Sequence, residues 1–345
     1  MNARAEKLVE KLEEPLIVTT PANIRYLTGF VSSNVAVVVE AERVRLFTDF
    51  RYATAARALP DLEFVETKRE AITHLAESLS GRFGFESTHL TYANYEQLRD
   101  AGLDLVPRSG LVESLRAVKE ASELEKIRRA AAITDQAYER IAEERFVGRT
   151  ERELAWRMTL LLHELGADEE AFETIVAAGA NGAKPHADPG DRVIEAGTTI
   201  VVDAGAVLDG YCSDCTRTFV TGELPDELQR AYEVCLEAQR TGLEAARAGV
   251  EAKQADAAAR TMIDEAGFGE NFGHGLGHGV GIDVHEAPRL AATSTDTLAA
   301  NNVVTIEPGI YLEGKGGVRI EDLVIVTDGE PEILSGFPKE ILEVG

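Results

Sequence analysis

TIVVDAG, residues 199–205, and VVTIEPG, residues 303–309, are the two stretches on which the fold turns. Each is a run of β-branched and apolar residues closing on an acid, Asp203 in one and Glu307 in the other, then a small or ring residue and a turn-making glycine. After each acid a second one follows on a second β run: Asp214, eleven residues beyond Asp203, and Glu321, fourteen beyond Glu307. Two hairpins that each present two carboxylates read as a duplicated half-domain. A carboxylate at the end of a buried strand is unfavourable unless it is paired or bound to a metal. Taken singly, each acid could close a separate buried salt bridge or cap a loop. Four converging acids would repel one another unless divalent cations sat between them, and hard oxygen ligands of this kind suit manganese, magnesium or calcium.

The segment between the two stretches sharpens the choice of metal. FGHGLGHGVGIDVHEAPR, residues 272–289, contains His274, His278 and His285. A helix there is unfavourable, because each of the glycines at 273, 275, 277, 279 and 281 would weaken it by about 1 kcal/mol. As a strand the alternation is clean: Phe272, His274, Leu276, His278, Val280 and Ile282 share one face and glycine fills the other. A bare glycine face admits another backbone or a ligand at close range. Adding His278 to the four acids makes a mixed oxygen and nitrogen set that suits Mn²⁺, Co²⁺ or Zn²⁺ better than Ca²⁺ or Mg²⁺ alone. Two such ions can lower the pKa of a shared water and polarise a carbonyl, which is hydrolytic chemistry.

Outward from this centre, residues 172 onward are β-rich, interrupted by helical patterns near 226–248 and 253–266. Two helices precede them. One is expected over 122–144, with Ser122 as N-cap and Glu125 three residues on; the other over 150–165, where Thr150 and Glu153 repeat the capping pattern. The arrangement is α+β. The first ~110 residues alternate short strands (16–19, 35–40, 44–48, 62–65) with helices (51–58, 71–79, 92–101), a small α/β domain that ends at a break over 107–110. At 345 residues, two domains are the expectation.

The composition closes other doors. Sixty acidic against 35 basic residues, a formal charge of −25, would repel nucleic acid and anionic membrane surfaces. No apolar run is long enough to span a bilayer, and the charged, helical N-terminus lacks an apolar core for a secretory signal, so a cytoplasmic protein is expected. Of three cysteines, Cys212 and Cys215 form a C-x-x-C inside a β run and are read as packed strand residues, not as a redox or zinc pair. Residues 309–315 imitate a P-loop, but Gly316 stands where its Ser or Thr belongs; H-E-x-x-H and G-x-S-x-G are absent.

With these residues in hand, the chain resembles the pita-bread metallopeptidases, in particular their prolidase (Xaa-Pro dipeptidase) and aminopeptidase P branch. SLRAVKEASELEKIRRAA, FETIVAAGANGAKPH, VVDAGAVLDGYCSDCTRTF, HGLGHGVGIDVHEAPR, TIEPGIY and GVRIEDLVIV resemble the family's signature blocks in order and spacing. The resemblance implies a creatinase/prolidase-type N-terminal domain over 1–112 and a pita-bread catalytic domain over 113–345. It implies two divalent ions per subunit, Mn²⁺ with Co²⁺ or Zn²⁺ as alternatives. Asp203 would chelate one, His278 and Glu307 would hold the other, and Asp214 and Glu321 would bridge both. It further implies Glu307 as general base, His285 at the substrate carbonyl, His186 in binding and proton transfer, His274 lining the site, and Tyr311 and Arg319 orienting the ligands. The bond cleaved would be the one preceding proline in small peptides. Arg289 resembles the arginine that meets a dipeptide's carboxylate in some prolidases. Cleavage of longer Xaa-Pro peptides, as in aminopeptidase P, stays open, as does a non-catalytic binding protein on the same fold. A homodimer is the family expectation.

Overall fold

A computed structural model describes all 345 residues. The chain divides into two compact units, Met1–Arg116 and Ala117–Gly345. In the first, the elements are α1 (Ala3–Val9), β1 (Leu16–Val18), α2 (Pro21–Thr28), β2 (Val35–Val39), β3 (Val44–Asp49), α3 (Ala53–Arg57), β4 (Glu63–Thr67), α4 (Ala71–Ser78), β5 (Arg82–Glu86), α5 (Tyr92–Asp100), β6 (Asp104–Arg108) and α6 (Leu111–Ala117). The six strands form one mixed sheet in the order β4-β3-β2-β1-β5-β6. Ile17, Val38, Phe47, Leu75 and Leu98 pack its core. The break expected over 107–110 is half strand: Pro107 lies within β6, which pairs only with β5 at the sheet edge, where a missing N–H removes no ladder bond.

In the second unit two long helices, α7 (Ala121–Ala142) and α8 (Glu151–Glu164), precede β7 (Glu169–Glu170), β8 (Ile175–Ala178), β9 (Thr198–Ala204), β10 (Ala206–Leu208), β11 (Tyr211–Cys212) and β12 (Cys215–Thr221). The series then repeats with α9 (Asp226–Ala245), α10 (Ala252–Glu265), β13 (Gly277–Gly279), β14 (Glu286–Leu290), β15 (Val303–Ile306), β16 (Gly309–Leu312), β17 (Gly316–Arg319) and β18 (Asp322–Ile325), and closes with β19 (Glu332–Ile333) and β20 (Leu342–Glu343). The two halves are built alike. β8-β9-β12 and β13-β15-β18 are the antiparallel cores of a four- and a five-stranded sheet. Each helix pair buries its apolar stripe on its own sheet: Tyr138, Leu154 and Leu161 against Ile200, Val202 and Phe219 in the first half, Tyr232, Ala255 and Ile263 against Val304, Ile306 and Val324 in the second. No helix is long and apolar enough to cross a membrane.

Two local expectations shift. α7 begins at Ala121 with Glu120 as N-cap, whose N–H donates to the Glu123 carboxylate (2.9 Å), so Ser122 and Glu125 are not the cap pair. The Lys119 N–H donates to the Asn301 carbonyl (3.0 Å) and holds the chain extended just before that point. The Thr150–Glu153 cap of α8 forms as expected, with reciprocal bonds of 2.8 and 3.2 Å. Around His278 the strand covers only Gly277–Gly279, with a bulge between His278 and Gly279, so the six-residue face is interrupted. The glycines act as close-approach positions: a Cβ on Gly275, Gly277 or Gly279 would run into the carbonyls of Leu290, Thr305 or Ala287.

Candidate active site

The duplicated topology sets out the acids. Asp203 is the penultimate residue of β9 and faces Thr216 of β12 in register. Asp214 precedes β12 directly, after the small hairpin β10–β11. In the second half Glu307 follows β15, the hairpin β16–β17 intervenes, and Glu321 precedes β18. Each half thus ends one strand and begins the next at the same level, and both levels open on one cavity of about 630 Å³. His278 enters from β13, next to β15.

Within the cavity the ligand atoms of Asp214, His278 and Glu321 lie within 4.8 Å of one another. His278 Nε2 stands 3.3 Å from Glu307 and 3.6 Å from Asp214. Its Nδ1 is 3.1 Å from the Gly279 carbonyl, and a bond there leaves Nε2 free to act as a ligand. Two threonines brace the acids. Thr216 Oγ1 donates to Glu321 (2.7 Å) while accepting from Arg319 Nε (3.0 Å). Thr305 Oγ1 donates to Glu307 (3.2 Å) while accepting from the His278 N–H (3.1 Å). Neither threonine was expected from the residue pattern, although each sits two positions from an acid.

The Arg319 guanidinium, 3% exposed, gathers the rest: it donates to Asp203 (2.7 Å), the Tyr311 hydroxyl (3.1 Å) and the Pro185 carbonyl (3.0 Å). Tyr311 also meets His274 Nε2 at 2.9 Å. The His285 ring packs against His278 at a tilt of 50°, ring centres 4.2 Å apart. His186 and Arg289 complete the wall, with Phe172, Ile175 and Pro189 supplying apolar surface. All eleven residues singled out in the sequence line this one cavity: Asp203, Asp214, His278, Glu307, Glu321, His186, His274, His285, Arg289, Tyr311 and Arg319. The Arg289 guanidinium has no ion-pair partner within the chain, and its backbone N–H donates to Asp296 (3.0 Å).

The electrostatics are those of a site built for cations. Burial, then the neighbouring carboxylates, push the Asp214 and Glu321 carboxyls well above their ordinary range. Burial also raises Asp203, against the pull of Arg319. Burial works against charge on Glu307 too, but the bond and charge of His278 overrule it and hold that carboxyl low. His278 loses to burial and gains more from Glu307, which raises it to about 9. Burial lowers both His274 and His285. One oxygen of Asp203, Oδ1, is buried with no hydrogen-bond partner. An orphaned carboxylate oxygen, a histidine nitrogen facing the acids and three further carboxylates around one cavity fit a divalent metal centre.

The three cysteines are buried and free. Cys212 and Cys215 lie on β11 and β12 as packed strand residues.

Comparison with known proteins agrees with this geometry. Residues 125–328 match Metallopeptidase family M24, and residues 4–118 match the Creatinase/Prolidase N-terminal domain. A curated relative, the Xaa-Pro dipeptidase of Pyrococcus furiosus, is 36% identical over 353 residues, covering 99% of this chain and 100% of its own. Among solved structures, an Xaa-Pro dipeptidase from Bacillus anthracis superposes with a TM-score of 0.95 at 37% identity, covering 99% of both chains. An X-Pro aminopeptidase from Thermotoga maritima does so with a TM-score of 0.90 at 34% identity, covering 99% of this chain and all of the other. The chain belongs to metallopeptidase family M24, and its fold is the pita-bread catalytic unit preceded by a creatinase-type N-terminal domain.

Proposed function

We propose that this peptidase hydrolyses the Xaa-Pro bond of small peptides, as an Xaa-Pro dipeptidase. Asp203, Asp214, His278, Glu307 and Glu321 would hold two divalent cations, Mn²⁺ or Co²⁺ suiting the oxygen-rich set with one nitrogen. Bound there, the cations supply Lewis acidity at the scissile carbonyl and lower the pKa of water. The protein's own groups do the rest. Glu307, kept ionised beside His278, accepts the proton that the attack releases. His285, neutral because burial lowers its pKa, donates from its ring N–H to the substrate carbonyl oxygen as charge develops there. His186 lines the same cavity and serves binding and proton transfer to the leaving nitrogen, which carries no hydrogen before a proline. His274, held by the Tyr311 hydroxyl, walls the site, and Arg319 fixes Asp203 and Tyr311.

The observation that carries the dipeptidase reading is the unpartnered guanidinium of Arg289 on the cavity wall. A carboxylate one residue beyond the scissile bond would pair with it in the planar, two-point manner arginine favours. The alternative is an aminopeptidase P, which would admit Xaa-Pro-Yaa; the Thermotoga neighbour named for that activity favours it. The deciding experiment compares Ala-Pro with Ala-Pro-Ala in Mn²⁺ and in Co²⁺. Release of alanine from the dipeptide alone is the expected result. Preferential cleavage of the tripeptide would replace the dipeptidase reading by the aminopeptidase one, and no cleavage of either would end both.

A further inference from the structure

Glu151 opens α8 outside the metal centre, and its side chain is wholly buried. No cation stands beside it. Three neutral donors converge on its carboxylate instead: the Ala178 N–H (2.8 Å), the Asn181 side-chain amide (2.9 Å) and the Gly190 N–H (3.0 Å). A buried carboxylate without a counter-ion is tolerated only when such donors satisfy it, and cutting any of them leaves charge uncompensated. The donors are not scattered. Ala178 ends β8, Asn181 closes the short 3₁₀ turn Gly179–Asn181, and Gly190 ends the loop that follows. Between Asn181 and Gly190 lie Pro185, His186, Asp188 and Pro189, which form one wall of the cavity.

Both feet of that loop are therefore tied to a single side chain, and the strap is closed further on each side. The Asn181 amide also donates to the Asp188 carbonyl (3.2 Å), and the Arg152 N–H donates to the Gly190 carbonyl (3.0 Å). The middle of the loop is tied at Pro185, whose carbonyl accepts from Arg319, the same guanidinium that grips Asp203. The second half of the unit holds its own histidine segment by a comparable device. There buried Asp256 on α10 accepts from the Leu276 N–H (3.0 Å), and Arg260, paired to Asp256, donates to the His274 carbonyl (2.7 Å).

We propose that Glu151 is a positioning residue for substrate handling: it sets the 182–190 loop and so places His186 over the cavity, without touching substrate or metal. The proposal rests on the Xaa-Pro reading only through the assay, because its structural half can be read without any substrate. Glu151→Gln keeps size and shape but replaces one acceptor oxygen with a donor, which would face the Asn181 amide or a backbone N–H. In that variant kcat/KM for the better of Ala-Pro and Ala-Pro-Ala is expected to fall about 10- to 100-fold, the range for a catalytic group displaced by ~1 Å, with bound metal unchanged. Acting through His186, the same substitution placed on His186→Ala should change kcat/KM by less than about twofold, since coupled sites are non-additive. An equal loss in both backgrounds, or loss of metal from Glu151→Gln, would overturn the assignment. Amide hydrogen exchange at Ala178 and Gly190 should accelerate in Glu151→Gln; unchanged protection there also overturns it. If the wild type cleaves neither peptide, the substrate reading fails and exchange alone decides the clamp. Should Glu151→Gln not fold, Asn181→Ala takes its place, with a smaller loss that must likewise vanish on His186→Ala.

Discussion

The two halves of the catalytic unit share a plan and divide the labour unequally. Both run helix, helix, strand pair, acid, small hairpin, acid, strand. The first half offers Asp203 and Asp214, and the strand beside β9 brings only Ile175 opposite Asp203. The second offers Glu307 and Glu321, and the strand beside β15 brings His278. That one nitrogen breaks the symmetry. It depresses Glu307 while the other three carboxyls are raised, so one acid of the four is held ionised and three are pushed toward the protonated form. The braces differ as well. Thr305 serves its own half, touching His278 and Glu307, whereas Thr216 of the first half reaches Glu321 of the second and, through Arg319, Asp203 of the first. A duplicated scaffold thus supplies position, and a few unpaired differences supply chemistry.

Removing one acid from the first half tests the division most severely. Asp214→Asn would remove a carboxylate oxygen from the set proposed to hold the cations, and hydrolysis should drop about a thousandfold, several kcal/mol of electrostatic stabilisation, with the circular dichroism spectrum intact. Retained activity in that variant would sink the two-metal account. The unequal braces come next. Thr216→Val should weaken metal binding by about 10- to 100-fold, as loss of outer-shell partners does, and more than Thr305→Val, because it loosens both halves. Calorimetric titration with Mn²⁺ would rank them, and the reverse order would mean that the halves are braced independently. Arg289→Met, in a residue with no counterpart in the first half, should raise KM for Ala-Pro about tenfold, a loss of ~1.4 kcal/mol, and leave KM for Ala-Pro-Ala nearly unchanged. An equal rise for both peptides would remove Arg289 from carboxylate recognition.

The smallest effect concerns protons in the stripped protein. With metal removed by EDTA, Asp214 and Glu321 keep protons above their ordinary values of 3.8 and 4.5, and His278 keeps its proton up to about 9 instead of 6.5. The folded chain then binds more protons than the unfolded one across that window, so stability falls as pH rises from about 4.5 toward 9. The depressed Glu307 acts in the opposite sense below its ordinary 4.5, and the lowered His274 and His285 do so below their ordinary 6.5, so the fall is steepest between 6.5 and about 9, where His278 alone of the three histidines keeps its proton. Scanning calorimetry should find Tm lower at pH 8.5 than at pH 5.5 by about 4 °C or more. Mn²⁺, which competes with those protons, should raise Tm most at the higher pH. A Tm that rises with pH in EDTA would contradict the crowding of these acids.

The sequence by itself singled out the side chains that meet in the cavity. Strand-ending acids at 203 and 307, their followers at 214 and 321, and a histidine amid glycines stand out because burial makes each one unfavourable without a partner, and that is legible from apolar context alone. The caps of α8 and the glycine close approaches are legible for similar local reasons. Other features were decided only when the chain closed on itself. Pro107 reads as a breaker until β6 is known to be an edge strand, and the stripe of 272–282 reads as one strand until two neighbouring carbonyl rows fix where its glycines touch. Thr216, Thr305 and Glu151 look unremarkable in the linear chain. Their roles arise from hydrogen bonds to residues as far as 105 positions away, and short-range directional contacts between distant segments leave no periodic trace in composition or pattern.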